Sequence, residues 1–332
     1  MSIPDISHYF PITDPTLIFF VVLCIILFAP IIMSRLRIPH IIGMVLAGIL
    51  VGQYGLNILE RDSSFELFGK VGLLYIMFLA GLEMNLTDIK KKRLQFLVFG
   101  LLTFFIPFVV AYPVGTCLLG YSPTASLLLA CIFSSNTLIA YPIVCKYGLQ
   151  KHPSVALSVG SSMIALTLSL LILAAIVGAS DGQAGEMMFW VLFVTKLVAF
   201  CAGAIFLLPR ITRWFFKRYD DAVMLYIYVL SMLFLSAAVS EMCGLEGIFG
   251  AFLAGLILNR FIPSVSPLMN RIEFIGNALF IPYFLIGVGM LIDIRVLFHG
   301  LNTLWVVFCM VFFGTATKAT AAYIARTGLR LP

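Results

Sequence analysis

Long apolar runs follow one another along this chain, separated by short polar breaks. They fall near residues 15–34, 38–55, 67–86, 94–119, 123–146, 153–179, 186–208, 222–242, 244–259, 273–293 and 301–325. A membrane-spanning helix needs about 20 mainly apolar residues. The pattern therefore predicts eleven spans and leaves little chain for a soluble domain. Transmembrane barrels alternate apolar and polar residues in short segments, which these blocks do not. Gly or Pro interrupts several runs, as membrane helices tolerate when neighbours satisfy the freed backbone.

Charge sorts the connecting loops into two sets. Sixteen of the 21 basic residues fall in alternate loops: Arg35 and Arg37; Lys90 to Arg93; Lys146 and Lys151; Arg210, Arg213, Lys217 and Arg218; Arg260 and Arg271; Arg326 and Arg330. The other set holds Arg61 and Arg295, while Lys70, Lys196 and Lys318 fall within or at the edge of spans. Positively charged loops stay cytoplasmic, so the N-terminus is expected outside and the C-terminus in the cytoplasm. The strict alternation also supports the count of eleven, because one span more or fewer would scramble it.

Composition sharpens the class. Of 332 residues, 62% are hydrophobic and 11% charged, where soluble chains run at about 45–50% apolar and about 25% charged. A soluble enzyme, a disordered chain and a disulfide scaffold are excluded. The net charge of +6 is loop bias and calls for no nucleic-acid partner. The seven cysteines lie scattered, mostly in apolar runs with no CxxC spacing, and read as packing residues. Four single histidines near segment ends argue against a resident metal. The first apolar block has no basic region before it, so no cleavable leader is expected.

Two stretches repeat. Ile42-Gly43-Met44-Val45-Leu46-Ala47-Gly48 matches Phe249-Gly250-Ala251-Phe252-Leu253-Ala254-Gly255, with Gly, Leu, Ala and Gly in register. Tyr75, Gly81 and Asn85 of the third span match Tyr283, Gly289 and Asp293 of the tenth at the same spacing. An offset of seven spans makes the copies cross in opposite directions, and inverted repeats mark secondary transporters. The expected organisation is one transmembrane domain, 1–332. Repeat one is 15–179, a linker helix is 186–208, and an incomplete inverted repeat two is 222–325. Counterparts of the fifth and sixth spans do not appear before Pro332, so the expectation is either a piece of a longer chain or a protein that has lost half of its site.

Polar groups at membrane depth need a reason. Ser134-Ser135-Asn136-Thr137, with Pro142 further on, suits a fifth span that unwinds so that its freed backbone can hold an ion. An ordinary interhelical hydrogen-bond cluster is the plainer alternative. Ser161, Ser162, Thr167 and Ser169 lie in the sixth span, where packing accounts for each singly. Lys318 sits in Gly314-Thr315-Ala316-Thr317-Lys318, about two turns from Arg326. That is a long reach for snorkelling, so an ion-paired or functional role is expected. No Asp or Glu falls mid-span: Glu83, Glu241, Glu246, Glu273 and Asp293 all sit at span ends.

Together these residues resemble the monovalent cation:proton antiporters of the sodium/proton exchanger superfamily. The resemblance is carried by Ile38-Pro39-His40-Ile41-Ile42-Gly43 through Gly48 and Gly52, and by Phe78-Leu79-Ala80-Gly81-Leu82-Glu83-Met84. Gly247-Ile248-Phe249-Gly250-Ala251-Phe252-Leu253-Ala254-Gly255, Pro282-Tyr283-Phe284-Leu285-Ile286-Gly287-Val288-Gly289-Met290 and Lys318 complete it. It implies an all-α, inverted-repeat antiporter fold of about thirteen helices, eleven of them present here, and a homodimer. Spans 1–3 and 8–10 would form a dimerisation panel. Spans 4–6 and 11–13 would form a moving core with broken helices at spans 5 and 12. One departure stands out. The acidic pair that such antiporters carry in span 6 aligns with Ala165 and Leu166, and a one-residue slip brings only Thr167.

The expected function is secondary transport in a bacterial inner (plasma) membrane. A monovalent cation, Na⁺ or K⁺, would exchange for protons by elevator-like alternating access. Ser134, Ser135, Asn136, Thr137, Thr167, Ser169 and Lys318 are the expected ion path. Neither a cofactor nor an enzymatic constellation is expected. Because Ala165 and Leu166 replace the acids, the alternative is the same scaffold used as a carrier without proton coupling, or as a membrane sensor.

Overall fold

A computed structural model describes residues 11–84, 93–135, 144, 148–149, 152–180, 187–263, 265–298 and 300–329. Within them the chain is helical. The helices are α1 (Pro15–Arg35), α2 (His40–Val51), α3 (Ser63–Glu83) and α4, which is Arg93–Pro113 carried on by a wide turn at Val114–Leu118. Then come α5 (Pro123–Ser134), α6 (Pro153–Ser180), α7 (Met187–Arg218), α8 (Ala222–Met242) and α9 (Gly247–Leu258). The last two are α10 and α11 (Leu301–Leu329). α10 comprises Pro267–Ile275, a wide turn at Gly276–Phe280, and Ile281–Met290. Among the described residues these match the eleven expected spans. The largest differences are α5, which ends at Ser134, twelve residues before the expected end of its span, α7, which runs ten residues further, and α10, which begins six earlier.

The helix starts are written locally. Asp14, Asp62, Ser122, Asp221 and Ser266 each accept a backbone N–H of the first turn that has no partner inside the helix. Pro15, Pro123 and Pro267 follow three of these caps, where a missing N–H costs nothing. Gly244, at φ +83°, makes the tight turn from α8 into α9.

Eight helices are long and apolar enough to cross a membrane. α2, α5 and α9 have 12 residues each, or about 18 Å, against about 30 Å of hydrocarbon. The outward surface is apolar: Phe20, Leu27 and Phe28 of α1, Phe206 and Leu207 of α7, and Phe308, Val311 and Phe312 of α11 are all exposed. This is the face expected of a protein solvated by lipid. The chain is an integral membrane protein.

Packing divides the helices into two groups. α1, α2, α3, α8, α9 and α10 pack densely on one another around Phe65, Tyr75, Phe78, Leu233, Leu258 and Ile286, with α7 lying on α9. α4 packs on α5, α6 and α11, around Ala111, Leu129, Ala130 and Phe133. Contact between the groups is sparse by comparison. One place where they meet is beside Gly160, which leaves room for the Phe96 ring and the Met84 methyl.

Among the backbone crossings that hold the first group, two pair glycine with glycine. A Cβ on Gly48 would collide with the Ile286 carbonyl and the Gly289 Cα, and one on Gly289 with the Val45 carbonyl and the Gly48 Cα. Across the group, Gly81 meets the Phe252 carbonyl and Gly255 meets the Phe78 carbonyl and the Gly81 Cα. The pair Gly48–Gly289 thus has a twin in Gly255–Gly81, made from the same four residues that head the sequence repeat. Small residues at such crossings let helix backbones touch and gain dispersion contacts that lipid cannot supply.

Candidate functional site

The site is built where α4, α5 and α11 come together. α5 stops at Ser134: Ser135 is extended (φ −62°, ψ 135°), and its N–H bonds back to the Cys131 carbonyl at 2.9 Å. The helix therefore ends inside the second packing group, at the place the run of polar residues marks. The last carbonyls of a helix lack intrahelical donors and carry a partial negative charge.

Lys318 reaches this end from α11. Its Nζ donates to the Ser134 carbonyl at 3.1 Å and to the Thr103 carbonyl of α4 at 3.1 Å. The second acceptor has a local cause. In an α-helix the carbonyl of residue 103 bonds the N–H of residue 107, but position 107 is proline, which has none. Pro107 leaves the Thr103 carbonyl unused by its own helix. The ammonium thus bridges two carbonyls, one freed by a proline and the other by a helix end. Among the described residues no carboxylate pairs with Lys318. The expected ion pair is replaced by main-chain acceptors, which explains how a lysine rests here without an acid.

The remaining expected site residues divide. Ser134 is fully buried and its Oγ donates to the Ala130 carbonyl at 2.7 Å. Ser169 of α6 is buried and its Oγ donates across to the Cys131 carbonyl at 3.4 Å, tying α6 to the last turn of α5. Thr167 turns away, its Oγ1 donating to the Met163 carbonyl of its own helix at 2.8 Å. Ala165 and Leu166 are buried beside it. Asn136 and Thr137 lie outside the described residues. The structure thus brings Ser134, Ser135, Ser169 and Lys318 around one helix end and leaves Thr167 apart.

Residue types alone do not point to Thr103, because the atom that matters is its carbonyl. Its hydroxyl is engaged elsewhere, with the Phe99 carbonyl at 2.9 Å and the Gly100 carbonyl at 3.0 Å. The readable signal is Pro107, mid-helix in a span, four residues on. Asn259 is a second such residue. From the end of α9 its Nδ2 donates to the Leu82 carbonyl and, at 3.2 Å, to the Met84 carbonyl, closing the end of α3.

Fold and site together define a polytopic helical membrane protein with a lysine ammonium seated at the end of a helix inside it. Residues 21–332 match the family described as sodium/hydrogen exchanger, transmembrane, and the chain belongs to that family. It is 34% identical over 320 residues to the Na⁺/H⁺ antiporter NhaS5 of Synechocystis, covering 95% of this chain and 45% of that protein. The probable Na⁺/H⁺ antiporter 3 of Methanocaldococcus jannaschii is 29% identical, with 93% of this chain and 79% of that one covered. This chain therefore spans less than half the length of the cyanobacterial relative. Among solved structures, the sodium proton antiporter MjNhaP1 of M. jannaschii superposes with a TM-score of 0.71 at 16% identity, covering 96% of this chain and 80% of that one. At that identity the likeness is one of fold.

Proposed function

We propose that the protein carrying this chain exchanges a monovalent cation, Na⁺ or K⁺, for protons across the membrane. The observation that carries the reading is the ammonium of Lys318, held at depth by two carbonyls with no acid paired to it among the described residues. In a chain of this family it is the group placed to give up a proton as a cation arrives. Ser134, Ser135, Asn136, Thr137 and Ser169 supply oxygens along the path, and Thr167 lies at its margin. The relatives named as Na⁺/H⁺ antiporters support the exchange.

Movement is of the elevator kind, with α4–α6 and α11 shifting against α1–α3 and α8–α10. The sparse packing between those groups supports this. The paired glycine crossings support two inverted repeats, 15–179 and 222–325, joined by a linker at 186–208. The protein works as a homodimer with its N-terminus outside and its C-terminus in the cytoplasm, in a bacterial plasma membrane.

The buried Ala165 and Leu166 favour a second reading, the same scaffold moving ions or sensing them without proton coupling. The full-length protein in proteoliposomes separates the two. A pH-sensitive dye inside vesicles under an outward Na⁺ or K⁺ gradient should report a cation-dependent pH change, lost in Lys318→Ala. Isotope flux without a pH change would support the uncoupled carrier. No flux in a folded dimer would support the sensor.

A further inference from the structure

We infer that the groove between α3 and α8 binds one phospholipid whose headgroup carries both an ammonium and a phosphate, as phosphatidylethanolamine does. An acyl chain lies in the groove and the headgroup rests on Lys70 and Glu241. This goes beyond the exchange reading and needs only that the chain spans a membrane.

The groove exists because two helices of a densely packed group do not close on each other. α3 packs tightly on α9 and α10 but only lightly on α8. Leu67, Lys70, Val71 and Leu74 share one face of α3 at helical spacing, and Phe234, Ala237, Ala238 and Glu241 share one face of α8. With alanine at two of these places, the faces leave a cavity of about 220 Å³ between them. Its lining is apolar except for Lys70 and Glu241, which pair with each other at one end.

Shape selects a flexible chain. From Phe234 to Glu241 is two turns, or about 10 Å along a helix. That volume over that length is a slot on the order of 5 Å across, one hydrocarbon chain wide and about half the width of a helix. A helix from a second copy does not enter it. The groove opens toward lipid beside Leu67 and Ala238, both exposed.

Charge selects the headgroup. Lys70 Nζ lies 2.8 Å from Oε1 and 3.1 Å from Oε2 of Glu241. The same carboxylate lies against Gly247, the first residue of α9, so closely that a Cβ there would collide with it. The positive end of that helix favours an anion, so Glu241 stays placed whichever ammonium it faces. Both side chains are about half exposed, and such a pair is weak, so it opens readily. A bound ethanolamine headgroup then gives its phosphate to Lys70 and its ammonium to Glu241, two ion pairs in place of one. A glycerol headgroup would set its phosphate beside Glu241 with no second cation. A choline headgroup has the charge but no N–H to donate. Of the three, ethanolamine alone answers both residues.

The full-length protein, purified in detergent and stripped of lipid, can be titrated with lipids of matched acyl chains and the bound lipid counted by native mass spectrometry. Phosphatidylethanolamine should bind about tenfold more tightly than phosphatidylcholine or phosphatidylglycerol, the factor that one hydrogen bond between charged groups supplies. Glu241→Gln should bring the preference over phosphatidylcholine down to about twofold or less, since the neutral amide holds an ammonium no better than water does. Ala238→Leu, which fills the groove from its exposed side, should weaken phosphatidylethanolamine binding about tenfold while the ion pair remains. Equal binding of the three lipids by the parent overturns the site, and so does a preference that survives Glu241→Gln. If Glu241→Gln does not fold, Ala238→Leu decides, and undiminished phosphatidylethanolamine binding in that variant overturns the groove. An Ala238→Leu protein that loses a dimer while its lipid binding stays unchanged would give the groove to a second copy and overturn the proposal. None of these outcomes depends on ion flux, so the exchange reading stands or falls separately.

Discussion

Glycine shows how one missing methylene group decides the packing here. Gly81 and Gly69 both lie in α3 and look alike in the sequence. Gly81 presses on the Phe252 carbonyl and the Gly255 backbone, whereas nothing approaches the Cβ position of Gly69 within 4 Å. Gly81→Ala must therefore push two helices apart and is expected to cost about 1–3 kcal/mol, as overpacked cores do. Gly69→Ala should instead stabilise α3 by about 0.5–1 kcal/mol, the backbone entropy a helical glycine wastes. Thermal unfolding of the two variants in one detergent checks the contrast, and equal effects would undo the account of the crossing. Lys318, Ser134 and Ser169 are legible in the sequence because polar atoms stand out in apolar runs. The Thr103 carbonyl is not, since every residue carries a carbonyl and only the pairing of Pro107 with an ammonium 215 positions from Thr103 singles it out.

At the level of the element, the interest lies in where helices stop. Lys318 closes the end of α5, and Asn259 closes the end of α3 from the neighbouring α9. Asn259→Leu leaves the Leu82 and Met84 carbonyls without that donor, at a cost of about 1–3 kcal/mol for the buried acceptors. Hydrogen exchange should then quicken in the last turn of α3 while α8 keeps its protection. Unchanged exchange at α3 would show that this cap is idle. The end of α5 at Ser134 falls at the start of the polar run that suggested an unwound span. The short length of α2 could not be read beforehand. Its apolar run continues past the helix into Gly52 and beyond, and hydropathy does not register that a run stops being helical.

For the whole molecule, the loop charges predict which ends share a side of the membrane. The start of α3 and the end of α8 should both lie outside, and the structure joins them: Lys70 Nζ meets Glu241 Oε1 at 2.8 Å. Both side chains are about half exposed, 58% and 42%, so the pair is worth at most about 1 kcal/mol. Its value is as a marker. Lys70→Cys with Glu241→Cys should be cross-linked in intact cells by an oxidant that does not enter them, while a cysteine placed at Lys217 should resist a membrane-impermeant maleimide. The opposite labelling would invert the topology. The order of the helices, and that the start of α3 and the end of α8 share a side, were thus legible from hydropathy and charge. The division into two packing groups came only through the family resemblance, because it depends on contacts between spans far apart in sequence, which hydropathy does not register.

The two glycine crossings have a mechanical consequence. A joint made of backbone on backbone has no rotamers, so it cannot soften by repacking side chains or creep by small steps; it is closed or it is parted. The helices it fastens then act as a keel. Bilayer tension and thermal agitation pass through them without being absorbed, and whatever compliance the molecule has must reside in the thinly packed seam beside α4, α5, α6 and α11.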